Sequence, residues 1–385
     1  MVFEQRRCRE VSMGRANFKH LLGRRTEAKL VVINVDDYGT IRLASRQLRD
    51  TLQKRIRGFG GQMDTFDALE TRADLEALFD VLRSVRDAEG NPAVFTAYAL
   101  SANPDFKALR TEGRYAPEAL PDTFDRLSAE QPAAYEGAWS LWREGMAEGL
   151  IHPQFHGREH VSVPLIQAKL ARGDDDLLAN IEVESMAGLK PIPEMPGVGF
   201  THSFGLHDKS LLPQHREILA DGLARFEAVY GFASHTLTPP AQQLHPSLDV
   251  YVHELGVEAI DKSFFYRRPL GNGRRQPSIN FLRPPTRKRA GTIVRTLSFE
   301  PTSGTKSDPV GHALAQIDTA FRWRKPAIIS SHRVNYAGHI DPKNREQGLV
   351  ALAELLQGIV KRWPDVRFIT AEALLDEMRE GKARA

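Results

Sequence analysis

Cysteine is nearly absent from this chain of 385 residues, because Cys8 is the only one. A single thiol excludes an intramolecular disulfide and any zinc site built from several cysteines. A strong excess of one charge is also lacking, since 52 lysines and arginines face 49 acidic residues and leave a net charge of +3. So small an excess gives no reason to expect a nucleic-acid partner.

Long apolar runs are missing as well. No stretch approaches the ~20 apolar residues that a membrane-spanning helix needs, so we expect no membrane partner. Residues 1–28 are rich in arginine and lysine, but no apolar core follows these charges as it does in a secretory signal. We therefore expect a basic leader over residues 1–28, a cytoplasmic location, and a single domain over residues 29–385, where no linker or internal repeat interrupts the chain.

An apolar run ends in two adjacent carboxylates between Val31 and Thr40, where the sequence reads Val-Val-Ile-Asn-Val-Asp-Asp-Tyr-Gly-Thr. The run has the length and β-branched content of a strand buried on both faces. Asp36 and Asp37 would then lie where α/β proteins hold their catalytic groups. Adjacent carboxylates repel each other, and a bound metal ion would remove that repulsion. The alternative at this point is that one of them only caps a following helix.

Apolar strands and amphipathic helices alternate along the rest of the chain. Strands are predicted at 93–98, 327–331 and 366–370, and helices at about 71–89, 133–148, 214–230 and 347–363. This alternation predicts an α/β fold whose parallel sheet curls into a barrel. Residues 267–289 contain eight basic side chains and no acidic one, which fits either a hairpin that faces an anionic ligand or a solvated basic loop.

Histidines supply a second signal. His156 and His160 are four residues apart, so both imidazoles would lie on one face of a helical turn and reach one ion. Catalytic zinc sites combine three protein ligands with an open position, and zinc favours imidazole and carboxylate. Asp37, His156 and His160 would make such a set. His152 is spaced equally well with His156, but Pro153 disfavours a helix between them.

His332 is a third candidate, because it directly follows the apolar strand predicted at 327–331. If the strands are parallel, His332 points into the same mouth as Asp36 and Asp37. The alternative is a structural histidine that bonds to a loop carbonyl.

Taken in chain order, these motifs resemble those of the polysaccharide deacetylase family (carbohydrate esterase family 4-like), and most closely its poorly characterised bacterial branch. The similarity spans roughly residues 29–375 and includes Thr-Pro-Pro at 238–240. It implies the NodB homology fold, a distorted (β/α)7 barrel. It also implies Asp36 as general base, His332 as general acid, and Asp37, His156 and His160 as ligands of one divalent ion, with Zn²⁺ the first choice and Co²⁺, Mn²⁺ or Ni²⁺ as alternatives.

Thr238 departs from the family pattern, because better-known members carry an arginine there that orients the catalytic base. A second Arg-Pro-Pro sequence begins at Arg283, but it lies in the basic segment and lacks the family's context. The departure raises the question of what orients Asp36 in this chain.

The reaction that the resemblance implies is hydrolysis of a non-peptide C–N bond, namely removal of an acetyl group from an N-acetylated sugar or polysaccharide. Asp36 would accept a proton from water and His332 would protonate the leaving nitrogen, while the metal and a backbone N–H near Tyr38 or Gly39 would hold the oxyanion. The alternatives are a hydrolase of cyclic amides or imides, an O-acetyl esterase, and an inactive carbohydrate-binding barrel. The expected partner is thus a carbohydrate or a small-molecule amide.

Overall fold

Parallel β-strands form the centre of the molecule, and helices pack against them. The computed structural model describes residues 19–383, with side chains up to residue 379. Cys8 and residues 1–18 of the predicted leader lie outside the described residues. The strands, numbered β1 to β13 in chain order, are Leu30–Tyr38, Phe95–Ala99, Ala102–Pro104, Pro117–Ala119, Ile151–Phe155, Thr236–Leu237, Ala259–Lys262, Phe265–Gly271, Arg274–Ile279, Gly291–Val294, Leu297–Ser298, Ala327–His332 and Arg367–Phe368.

The helices predicted at 71–89, 214–230 and 347–363 are present with shifted ends, whereas the one predicted at 133–148 is replaced by two helices, Pro132–Tyr135 and Ala138–Ala147. The helix predicted at 71–89 ends at Arg83, and the long helix predicted from residue 347 begins at Pro342. The helices, numbered α1 to α14, are Arg46–Arg55, Gln62–Phe66, Arg72–Arg83, Phe106–Thr111, Leu120–Glu130, Pro132–Tyr135, Ala138–Ala147, Val163–Ala171, Asp175–Glu182, Leu212–Tyr230, Pro246–Glu254, Pro309–Arg322, Pro342–Arg362 and Ala371–Ala383. Within residues 19–383, no helix is long and apolar enough to cross a membrane.

The main sheet curls until its two edges nearly meet. Its strands follow the order β10-β7-β6-β5-β2-β1-β12-β11, all parallel, and β13 pairs with the start of β1. The edge strands β10 and β11 are separated along the chain only by Arg295 and Thr296. Three peptide steps reach no farther than about 11 Å, so the edges adjoin. If β10 and β11 are counted as one interrupted strand, seven strands surround the axis, and the predicted distorted (β/α)7 barrel is confirmed.

Strand β1 lies in the middle of this sheet, between β2 and β12, and all nine of its residues are buried. The prediction of a strand buried on both faces is therefore confirmed. Because β1 and β12 are parallel and in register, Asp36 is paired directly with His332. The carboxyl ends of both strands, and with them both candidate catalytic residues, reach the same mouth of the barrel.

Two smaller features lie outside the main sheet. The basic segment contains an antiparallel hairpin, β8–β9, with its turn at Asn272 and Gly273, which agrees with the hairpin alternative. Residues 19–24 pack on the barrel wall, where Lys325 donates to the backbone oxygens of Leu22 and Arg24 at 3.0 and 3.1 Å. The domain boundary after residue 28 stays a prediction.

Candidate active site

A bulge in β1 brings two consecutive carboxylates to the mouth of the barrel. Val35 pairs with Ala97 and Tyr38 with Ala99, so β1 contains one more residue than β2 at this point. Asp37 has a φ of +75°, in the left-handed region that aspartate enters more readily than most residues. Consecutive side chains of a regular strand point to opposite faces, and the bulge instead lets both carboxylates face the same site.

Asp37, His156 and His160 converge on one point. The Nε2 atoms of His156 and His160 lie 3.2 and 3.1 Å from the same carboxylate oxygen, Oδ1 of Asp37. Ligand atoms held tetrahedrally at ~2.0–2.1 Å from zinc are roughly 3.3 Å apart, so this spacing suits three ligands of one ion. Among the described residues, no other set of three His, Cys, Asp or Glu side chains has its candidate ligand atoms within 4.8 Å of one another.

The hydrogen bonds of His156 favour a cation in this position. Its Nδ1 donates to the backbone oxygen of Thr238 at 2.7 Å, so Nε2 is the ring nitrogen that faces Asp37. Nε2 lies 3.2 Å from Oδ1 of Asp37. A divalent ion between these two atoms would be bonded by both of them.

The electrostatics of Asp37 and His160 agree with a ligand role. Burial alone would raise the pKa of Asp37, but His160 and His156 outweigh it and hold that pKa well below its usual range. Burial is also the main influence on His160 and lowers its pKa in spite of Asp37. Metal binding requires an ionised carboxylate and a neutral imidazole, and both groups favour that form.

The prediction that a helical turn connects His156 and His160 is wrong. Both histidines lie in the irregular loop that follows β5, and the helix after it begins only at Val163. Gly157 has a φ of +121°, which no helical residue adopts. The loop itself brings the rings together, with centroids 5.0 Å apart. His152 lies on β5 and bonds to Glu372 at 2.6 Å, outside this cluster.

Arg295 fixes the other carboxylate of the pair. Its Nη1 and Nη2 donate to Oδ2 and Oδ1 of Asp36 at 2.8 and 2.6 Å, and its Nε donates to Asp261 at 2.7 Å. Burial opposes ionisation of Asp36, but Arg295, followed by His156, outweighs burial and lowers the pKa of Asp36. Asp36 is thus an ionised, oriented carboxylate outside the Asp37–His156–His160 cluster.

Arg295 was not identified from the sequence, and it answers the question raised by Thr238. Nη2 of Arg295 donates to Oγ1 of Thr238 at 3.1 Å, so the position at which the resemblance leads us to expect an arginine contacts an arginine from elsewhere in the chain. Arg295 lies between β10 and β11, at the seam of the barrel. The available signal was an apolar strand ending in a charged residue, Thr292-Ile-Val-Arg295, the same kind of signal that identified His332.

His332 is paired with a carboxylate that the sequence analysis also missed. Nδ1 of His332 lies 2.7 Å from Oε1 of Glu300, whose other oxygen accepts from Asn335 at 2.5 Å. Burial opposes protonation of His332, but Glu300, with smaller contributions from Asp37 and Asp36, raises its pKa to about 10. Nε2 of His332 lies 3.9 Å from Oδ2 of Asp36, so a charged imidazolium and an ionised carboxylate stand on neighbouring strands.

A buried ion network beneath the site occupies one of the two backbone N–H groups that were expected to hold the oxyanion. The backbone N–H of Gly39 donates to Glu70, with both carboxylate oxygens at 3.2 Å, so it is not available to an oxyanion. Glu70 is held in turn by Arg333 and Trp142, at 2.8 and 2.9 Å. The N–H of Gly39 is therefore excluded as an oxyanion donor.

Comparison with known proteins gives structural matches only. No protein-family model matches the sequence, and no curated protein matches it. The matching structures include a protein described as a probable polysaccharide deacetylase from Pseudomonas aeruginosa PAO1 (11% identity, 92% of each chain, TM-score 0.47). They also include Puue allantoinase, with 12% identity, 91% of this chain and 90% of that chain covered, and a TM-score of 0.45. A third match is the peptidoglycan deacetylase PdaC from Bacillus subtilis, with 10% identity, 93% of this chain and 95% of that chain covered, and a TM-score of 0.35. The chain is similar in structure to polysaccharide deacetylases over about nine-tenths of its length.

Proposed function

We propose that this protein is a metal-dependent hydrolase that removes an acetyl group from an N-acetylated sugar or polysaccharide. One observation carries the proposal: Asp37, His156 and His160 converge on a single point, directly beside a second, ionised carboxylate and a histidine. A purely structural role would not explain five ionisable groups crowded together at a barrel mouth.

Asp37, His156 and His160 would hold one divalent ion, and their oxygen and nitrogen ligands suit Zn²⁺. Such an ion, when bound, acidifies water and polarises a carbonyl. Asp36 is placed to accept the proton of the attacking water, because it adjoins the ligand cluster and Arg295 keeps it ionised. Since Arg295 occupies both of its oxygens, Asp36 is held in one orientation and is not free to rotate onto the metal.

His332 is placed to supply the proton that the leaving nitrogen needs. An amide breaks at a useful rate only if its nitrogen is protonated as it departs, because an amide anion is too basic to leave. With its pKa raised to about 10 by Glu300 against the effect of burial, His332 carries that proton at neutral pH. Protonated His332 and ionised Asp36 therefore stand in the starting states of a general acid and a general base.

This pairing favours an amide over an O-acetyl ester, because an alkoxide leaving group depends less on a proton donor. Hydrolysis of a cyclic amide or imide uses the same groups and is the second candidate. The test is a screen for acetate release from N-acetylated sugars and polysaccharides, run beside a panel of cyclic amides with ring opening as the readout. Hydrolysis of the acetylated substrates alone supports the proposal, whereas ring opening alone supports the second candidate.

The screen needs variants that separate metal binding from catalysis. The double substitution of His156 and His160 by alanine should remove both the metal and the activity. Asp36→Asn should retain the metal and lose turnover by ~10²–10⁴-fold, the range typical of a general base. A protein that binds acetylated sugars but hydrolyses none of the compounds, with its metal in place, would instead be an inactive carbohydrate-binding barrel.

A further inference from the structure

The basic hairpin β8–β9 lies at the mouth of the barrel. It begins three residues after β7, at the carboxyl end of that strand, which is the end at which β1 and β12 carry Asp36 and His332. Loops hold the hairpin in place: the N–H of Asn272 donates to the oxygen of His207 at 2.5 Å, and the N–H of Leu244 donates to the Tyr266 hydroxyl at 3.3 Å. The hairpin is therefore held by neighbouring loops as one side of the barrel mouth.

The loop over residues 197–203 connects this hairpin to the histidine ligands. Its Phe200 oxygen accepts from the N–H of Ser162 at 2.6 Å, and the hydroxyl of Ser203 donates to the oxygen of Glu159 at 2.8 Å. Glu159 and Ser162 flank His160 in the chain. A side chain that reaches this loop from the hairpin is thus close to the candidate metal ligands.

Arg275 is that side chain. Its guanidinium contacts the oxygen of Gly197 at 3.5 Å and Oε1 of Gln243 at 3.4 Å, both at the long limit of hydrogen bonding. Arg268 on the same hairpin pairs with Asp249 at 3.2 Å, whereas no carboxylate in the described part of the chain pairs with Arg275. Most of its five N–H donors remain available.

His202 marks the position of Arg275 relative to the candidate metal ligands. Its Nδ1 accepts from the N–H of Gly199 at 2.9 Å. Burial lowers the pKa of His202 most, Arg275 and His160 lower it further, and a hydrogen bond to the backbone of Gly197 opposes them. Arg275 and His202 thus both lie at Gly197, between the hairpin and the candidate metal ligands.

We propose that Arg275 binds an anionic group of the substrate, so that the amide hydrolysed at this mouth carries a carboxylate. The inference rests on the proposed function and adds a substrate class to it. A guanidinium presents two parallel N–H groups that match a carboxylate, and such charge-assisted bonds are about twice as strong as neutral ones. The three hairpin arginines that lack a described carboxylate partner, Arg267, Arg274 and Arg275, give the hairpin the matching charge.

The test compares a carboxylate with its uncharged ester. N-acetylglucosaminuronic acid and its methyl ester are assayed with the wild type and with Arg275→Gln, and kcat and KM are measured for each. The wild type should prefer the acid, and R275Q should lower the acid-to-ester ratio of kcat/KM by about tenfold, mainly through KM, the size expected for loss of a charge-assisted bond. Arg275→Lys should retain part of the preference.

Arg287→Gln is the matched control. Arg287 is an exposed arginine of the same basic segment, but it precedes β10, whose first residue bonds to the oxygen of Glu258 just before β7. It therefore lies at the opposite end of the barrel, and R287Q should leave the acid-to-ester ratio unchanged. An equal fall of the ratio in R275Q and R287Q would indicate a general charge effect and overturn the proposal.

Failure of the inference can be distinguished from failure of the proposed function. Turnover of acid and ester at equal rates by the wild type would overturn the role of Arg275 and leave the deacetylase function intact. If the wild type hydrolyses neither compound, calorimetric titration of the acid into the protein decides the matter. Binding that R275Q weakens and R287Q does not supports the proposal, whereas no binding, or equal binding by the wild type and R275Q, overturns it.

Discussion

Replacing Arg295 by methionine should destabilise the protein strongly and in a pH-dependent manner. Asp36 and Asp261, its two carboxylate partners, are 8% and 0% exposed in their side chains, and Arg295 itself is 11% exposed. Removing one partner of a buried ion pair costs about 3–5 kcal/mol, since the remaining charge stays buried. Asp36, which Arg295 keeps ionised, loses its partner here, so we expect a loss within that range at pH 8.

The sign of the pH dependence follows from the pKa of Asp36. In the wild type, Arg295 outweighs burial and lowers this pKa, so the pair stabilises the fold above the unfolded pKa of about 3.9 and loses that contribution as the pH falls through the lower folded value. In Arg295→Met, burial acts unopposed by Arg295 and the pKa of Asp36 rises. The stability difference from the wild type should therefore be smaller at pH 5 than at pH 8.

Equilibrium urea denaturation at both pH values measures these losses. Arg72→Met is the control, because Arg72 pairs with Glu76 on an exposed helix face and such pairs contribute little. Thr238→Arg in the Arg295→Met background should restore part of the stability and activity, since the side chain at 238 contacts the guanidinium of Arg295 in the wild type. A loss below about 1 kcal/mol at pH 8, far less than a broken buried pair costs, would refute the account of Arg295, as would equal losses at both pH values.

Three further predictions concern neighbouring groups. Glu300→Gln removes the main group that raises the pKa of His332 to about 10, so the alkaline limb of the pH–rate profile should move towards neutral pH; an unmoved limb would exclude His332 as the acid. In the wild type, protonated His332 stabilises the fold fully below about pH 6.5, and this stabilisation is lost as the pH rises towards about 10. In Glu300→Gln the same stabilisation should be lost at a lower pH. Arg333→Met should cost about 3–5 kcal/mol in urea denaturation, because its two carboxylate partners are 2% exposed; a smaller loss would show that this network is dispensable.

Local sequence was sufficient to find the residues that end a strand. The β-branched run before Asp36 and the one before His332 each fix a buried strand, and parallel pairing alone brings their carboxyl ends together. The fold class follows from the same alternation of strands and helices. His156 and His160 were also found, but for a partly wrong reason, because a loop with a left-handed glycine replaces the expected helical turn.

The groups that support the site could not be found in this way. Arg295 reaches Asp36 from 259 positions away, and Glu300 reaches His332 from 32 positions away. Such contacts depend on how the sheet closes at its seam, and no periodicity in the sequence encodes that closure. The missing arginine at Thr238 was visible, but its replacement depended on the three-dimensional path of β10 and β11.

Every step proposed for this site depends on one divalent ion held by Asp37, His156 and His160. The decisive experiment is a crystal of the protein grown with zinc and measured at the zinc absorption edge. We expect one anomalous peak within ~2.0–2.2 Å of a carboxylate oxygen of Asp37 and of Nε2 of both histidines, and no peak there in a crystal of the variant in which both histidines are alanine. A wild-type crystal with no peak at this position, or with its zinc bound elsewhere, would show that these three residues do not hold the ion.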